Sequence, residues 1–156
     1  AMPNSIEDLT LTIELEQRVQ ASLDATFAAV LEQLGPQQET PEGRKLPMTL
    51  EPWPGGRWFR DLGAQDGHFW ASVQAIKRPT LLELSGPLFA SYPLVSNLQY
   101  RLTAVDGGTL ISFRHTAMGF MPADHRKNVA TGWKHTLERA RLQAEGKLVP
   151  APTHSG

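Results

Sequence analysis

The stretch Ser96-Asn97-Leu98-Gln99-Tyr100-Arg101-Leu102-Thr103-Ala104-Val105, followed by Asp106-Gly107-Gly108 and then Thr109-Leu110-Ile111-Ser112-Phe113-Arg114-His115-Thr116, reads as two strands joined by a turn. In the first run Leu98, Tyr100, Leu102 and Ala104 alternate with Asn97, Gln99, Arg101 and Thr103. In the second, Ile111, Phe113 and His115 share one side and Ser112, Arg114 and Thr116 the other. A period of two gives each strand one buried and one wet face. The period then changes. Val129, Trp133, Leu137, Ala140 and Ala144 form an apolar helical stripe, which predicts a long helix from near Pro122 to about Glu145. Pro122 is expected at its first helical position, where a missing N–H costs nothing.

Working back toward the N-terminus, Leu9, Leu11, Ile13 and Leu15 alternate with Thr10, Thr12, Glu14 and Glu16, which is another strand. Leu23, Phe27, Val30, Leu31 and Leu34 then make a helical stripe. Ser22 is its expected N-cap, and Gly35-Pro36 is expected to end it, with Gly35 left-handed. Residues 36–56 carry five prolines and three glycines and are mostly loop, with a short strand near 47–51. Strands follow at 57–62, 68–76 and 80–85, with Asp66-Gly67 read as the turn between the first two. Successive hairpins with helices packed on one face make an α+β fold with an antiparallel sheet. Such a sheet is long and curved, and a helix laid in its concave face need not fill it. Residues 1–156 are expected to be a single domain, with an ordered core at about 9–146 and a frayed tail at 147–156.

Composition narrows the function classes. The chain has 156 residues, with 15 Lys plus Arg against 16 Asp plus Glu, for a net charge of −1. That balance carries no bulk basic field for nucleic acid. The absence of cysteine removes disulfides, thiolate metal sites and a Cys nucleophile. No apolar run approaches the ~18 residues of a membrane span, so no membrane span is expected. The opening Ala1-Met2-Pro3-Asn4-Ser5 has no signal-peptide pattern, and the expected location is cytoplasmic. Nucleotide loops, the nucleophile elbow and paired-His metal motifs are all missing from the sequence. No metal and no cofactor are therefore expected.

Several pieces together resemble a known group. They are Val19-Gln20-Ala21-Ser22 leading into the helix with Phe27, and Gly55-Gly56 before an aromatic strand. Asp66-Gly67 opens the strand that ends Ile76-Lys77-Arg78-Pro79. Gly108-Thr109-Leu110-Ile111-Ser112-Phe113 follows with His115, and then Gly132-Trp133 in the last helix. In this order they are similar to the START-like, or SRPBCC, superfamily, and within it to the family named after the activator of heat-shock-protein-90 ATPase. The resemblance implies the helix-grip architecture, a curved antiparallel sheet wrapped around a long C-terminal helix with a pocket between. That superfamily includes lipid carriers, polyketide cyclases, receptors and co-chaperones, so fold alone does not choose a function. Nothing in the sequence corresponds to the separate N-terminal domain with which the co-chaperone grips its partner.

The candidate site residues are Trp58, Phe69, Tyr100, Phe113 and Trp133 as pocket walls, with Arg60 and His115 as orienting groups. Aromatic faces suit a small apolar or aromatic molecule, although large aromatics also fill cores. Arg60 shares a strand face with Trp58 by the two-residue period. Turned inward, it would pair with a carboxylate or an acidic ligand group. His115 titrates near neutral pH and is the candidate acid or base, at the position where the resemblance also places a His. The loop Pro87-Leu88-Phe89-Ala90-Ser91-Tyr92-Pro93-Leu94 is unusually apolar for a connection. It reads either as a lid over the cavity mouth or as half of a homodimer contact. The leading expectation is a binding protein for a small, mostly apolar ligand. The alternatives are an enzyme of the cyclase, hydrolase or dehydratase kind using the same cavity, and a co-chaperone-like partner module.

Overall fold

A computed structural model describes residues 5–148. After a short turn at Ile6–Leu9, the elements run β1 (Thr10–Val19), α1 (Leu23–Leu34), β2 (Thr49–Leu50) and β3 (Arg57–Gly63). They continue β4 (Asp66–Lys77), β5 (Leu81–Gly86), β6 (Leu94–Val105), β7 (Gly108–Gly119) and α2 (Ala123–Ala144). The strands form one seven-stranded sheet in the order β1-β7-β6-β5-β4-β3-β2, antiparallel throughout. The sheet curves around α2, which is the helix-grip α+β arrangement. The 22 residues of α2 span about 33 Å, close to the ~40 Å of a 12-residue strand, so one helix serves the length of the sheet. No helix among the described residues is long and apolar enough to cross a membrane.

The alternation of β6 and β7 sets the inner face. Leu98, Tyr100 and Leu102 are buried on β6, opposite buried Ile111, Phe113 and His115 on β7. Val129, Trp133, Leu137 and Ala140 of α2 close over them. Helix α1 buries Phe27, Val30 and Leu34 in the same core. Its N-cap is Ser22, whose Oγ accepts from the Ala25 amide at 3.1 Å. The indole N–H of Trp58 donates to the Leu34 carbonyl at 2.7 Å, fixing the end of α1 to β3.

Local geometry departs from the sequence expectations in several places. Gly35 has φ −102° and is not left-handed; α1 ends instead with the Gly35 and Gln37 amides both donating to the Glu32 carbonyl. Pro122 occupies the N-cap, one residue before the first helical position. The β3–β4 turn is Ala64-Gln65, at φ 53° and 68°, and Asp66 already pairs with Gly63. Both central residues of such a two-residue turn need positive φ, which Ala and Gln supply here against their preference. Gly67 serves a different need, since a Cβ there would lie 2.1 Å from the Arg60 carbonyl oxygen. Strand β6 begins at Leu94, two residues earlier than its alternation suggested. The basic residues near the C-terminal end of α2 pair with carboxylates. Arg139 meets Glu39, while Arg141 and Lys147 meet Glu145. Of the expected frayed tail 147–156, the residues from 149 on lie outside the described residues, and the Lys147 amide donates to the Leu142 carbonyl at 2.7 Å.

Tyr100 is 1% exposed, and its hydroxyl has no partner among the described residues. Burial raises its pKa, so the hydroxyl stays protonated. A desolvated hydroxyl without a hydrogen bond costs about 1–3 kcal/mol. Tyr100→Phe should therefore leave unfolding free energy unchanged or raise it by about 1 kcal/mol. Urea denaturation measures this, and a loss of more than about 1 kcal/mol would mean that the hydroxyl is bonded.

Candidate functional site: an aromatic pocket beside the C-terminal helix

Trp133 sits on the buried stripe of α2 and meets the sheet at two points. Its ring lies 5.2 Å from Phe113, and its N–H donates to His115 Nδ1 at 2.9 Å. An indole N–H can only donate, so His115 Nδ1 must accept and the imidazole proton belongs on Nε2. That atom lies 3.0 Å from Ser96 Oγ, to which it donates. Both ring nitrogens are thus engaged, and the residue is fully buried. Burial, helped by repulsion from His125, lowers the His115 pKa to about 4 and keeps the ring neutral.

On the other side of Trp133 the structure opens. A pocket of about 540 Å³ lies between the N-terminal half of α2, residues 38–46 and an aromatic wall. Trp70, Phe89 and Trp133 form that wall. Trp70 crosses Trp58 edge-on at 5.0 Å, and Phe89 lies 5.6 Å from Trp70. Phe89 also stacks on His125 at 4.9 Å. The facing wall is polar and includes Gln38, Glu39 and Glu42. Glu39 Oε1 is held by His135 Nε2 at 3.1 Å and Arg139 Nη1 at 3.2 Å, and Arg139 Nε donates to Gln33 Oε1 at 2.8 Å. These bonds tie residues 38–46 to α2. A pocket with an aromatic side and a polar side can take up an apolar body and orient a polar end.

Of the candidates chosen from sequence, Trp133 lines this pocket. Trp58, Tyr100, Phe113 and His115 stand behind it as buried core. Phe69 is corrected outright: it is 45% exposed and pairs with Phe59 on the convex face. The reason is a bulge on β4. Trp58 pairs with Ala71 while Phe59 pairs with Phe69, so Trp70 is the extra residue. Strand β3 itself keeps its alternation, so Arg60 does share the face of Trp58. It is half-buried opposite His68, outside the pocket lining and without an ion pair among the described residues.

Trp70, Phe89, Gln38, Glu39 and His125 line the pocket but were not selected from sequence. The apolar 86–94 loop was the available signal for Phe89, which stands at the pocket rather than away from it. No group of three or more His, Cys, Asp or Glu among the described residues could hold a metal ion.

The sequence of residues 43–145 matches the family model described as activator of Hsp90 ATPase homolog 1-like protein. The chain belongs to this family. No curated protein matches it in sequence. Solved structures in other proteins share the family's fold. One, from Mesorhizobium loti, is 17% identical with a TM-score of 0.64, over 89% of this chain and 100% of that one. Another, from Chromobacterium violaceum, is 15% identical with a TM-score of 0.68, over 86% and 96%. The di-domain ARO/CYC StfQ from the steffimycin biosynthetic pathway is 14% identical with a TM-score of 0.67, over 91% of this chain and 53% of that one. At such identities the likeness is one of fold.

The neutral state of His115 couples the family fold here to pH. Its folded pKa of about 4 lies below the ordinary 6.5 of the unfolded chain, so between these values the unfolded state binds more protons. The stabilisation is complete above pH 6.5 and is lost as pH falls toward 4, with a size on the order of 3 kcal/mol. Burial lowers the pKa of His125 too, and this adds a loss in the same direction. Urea midpoints measured from pH 7 to pH 4 should fall steeply in the wild type. They should fall less in His115→Gln, whose amide can accept from Trp133 and donate to Ser96 without titrating. Equal slopes would remove His115 as the source.

Proposed function

We propose that the protein is a cytoplasmic binding protein that holds a small, mostly apolar, ring-bearing molecule in the pocket beside α2. The observation that carries this reading is the wall of Trp70, Phe89 and Trp133 around about 540 Å³ of open space. The Phe89 ring lies 5.6 Å from Trp70, edge-on, and 6.4 Å from Trp133, tilted, and the three rings offer contact surfaces for a planar guest. Removing apolar ligand area from water contributes about 25 cal/mol per Å² before the costs of immobilisation.

Family membership supports a ligand-holding helix-grip fold. The fold's likeness to StfQ, an ARO/CYC of a biosynthetic pathway, fits a ring-shaped guest. On this reading Trp133 is the shared wall of core and pocket. Trp58, Tyr100, Phe113 and His115 serve binding by holding that wall in place, and the 86–94 loop acts as a lid through Phe89.

Equilibrium dialysis with 2-methylnaphthalene tests the proposal. Saturable binding is expected, and Phe89→Ala should weaken it about fivefold, because Phe89 is 39% exposed and its loss removes pocket wall more than core. Absence of saturable binding, or affinity indifferent to Phe89→Ala, would sink it.

A further inference from the structure

Among the described residues, four buried side-chain atoms lack a hydrogen-bond partner: Thr26 Oγ1, Gln38 Oε1, Tyr100 Oη and His125 Nε2. Gln38 and His125 both line the pocket, and they reach it from different elements. Buried polar atoms are normally paired, so two orphans at one pocket point to a missing partner. Their chemistry is complementary. Gln38 Oε1 can only accept. His125 Nδ1 is bonded to Tyr92 Oη. In the tautomer where the tyrosine O–H donates to Nδ1, the imidazole proton sits on Nε2 and makes that atom a donor. Burial lowers the His125 pKa, which keeps the ring neutral at pH 7.

Charge around the pocket points the same way. Its charged lining is Glu39 and Glu42, with no Lys or Arg. The Arg139 guanidinium is already bonded to Glu39 and Gln33. A carboxylate or phosphate would therefore meet like charge and find no cation, whereas a neutral hydroxyl would find one acceptor and one donor.

We propose that, given the binding reading above, the pocket selects ring compounds carrying a neutral hydroxyl. That O–H would donate to Gln38 Oε1 and accept from His125 Nε2–H. Both protein atoms are closed to solvent, and the exposed Phe89 ring lies over His125. Because both atoms are closed to solvent, binding as proposed requires the side chains around them to shift.

The test is equilibrium dialysis at pH 7 with 2-naphthol, 2-methylnaphthalene and 2-naphthoate. The naphthol should bind about tenfold more tightly than the methyl compound, and the naphthoate more weakly than both. In Gln38→Met and His125→Phe, each first checked for cooperative unfolding, the ratio of naphthol to methylnaphthalene affinity should fall toward one. Naphthoate binding as tight as naphthol, or a ratio unchanged in both variants, overturns the proposal. Equal binding of naphthol and methylnaphthalene by the wild type overturns the hydroxyl preference alone. Failure of all three probes to bind overturns the binding reading together with it.

Discussion

The indole N–H of Trp133, donated to His115 at 2.9 Å, is the contact on which the rest of the site depends. It joins the long helix to the middle of the sheet inside the core, where an unmade hydrogen bond is costly. Because the donor can only donate, it fixes the imidazole tautomer, and the tautomer then fixes the bond to Ser96. One residue of helix rotation, about 100°, would break this chain and lift Trp133 off Phe113. The rotation of α2 about its axis is therefore set by a polar contact as well as by its apolar stripe. That rotation also decides which α2 side chains face the pocket.

The space left for a guest lies to one side of the helix. Directly beneath α2, Phe113, Ile111 and Leu98 are buried and in one cluster with Trp58 and Tyr100. Large rings contributed by three different strands occupy the concave face there. Room remains where α2 approaches residues 38–46 and the β4 bulge. The bulge matters because it turns Trp70 inward next to Trp58 and sends Phe69 out to meet Phe59. On the convex side the Arg57 guanidinium lies 4.7 Å from the Phe59 ring centre, which helps an aromatic pair tolerate water.

Sequence legibility followed the range of the interactions. The alternation of β1, β6 and β7, the stripe of α2 and the Ser22 cap are local patterns, and each was readable from a window of a few residues. What failed depended on distant partners or on single-residue irregularities. The Phe69-Trp70 pair carries two adjacent rings, and only the unpaired extra residue on β4 determines which one faces inward. His115 was legible as an inward His, but its two hydrogen bonds come from Ser96 and Trp133, and those set its chemistry. Glu39 meets Arg139 across a separation of 100 residues, so no local period could announce the polar wall. Arg60 was correctly placed on the face of Trp58. Its distance from the pocket could not be read from alternation, which gives a side of the sheet but no position along it.

The two walls of the pocket are built from contacts of different strength. Trp70 and Trp133 belong to the buried core cluster, so displacing them would expose apolar area and disturb close packing. The facing segment is tied to α2 chiefly through Glu39, His135 and Arg139, whose side chains keep partial exposure to solvent. Partly exposed pairs of this kind contribute little individually and are screened by salt. The Trp70 and Trp133 part of the aromatic wall is thus anchored as firmly as the fold itself, while the polar wall is held by contacts that a modest change of solution conditions can weaken. A fixed apolar surface opposite a more compliant polar one lets guests of different width use the same stacking face, with the adjustment falling on residues 38–46 and on the exposed ring of Phe89.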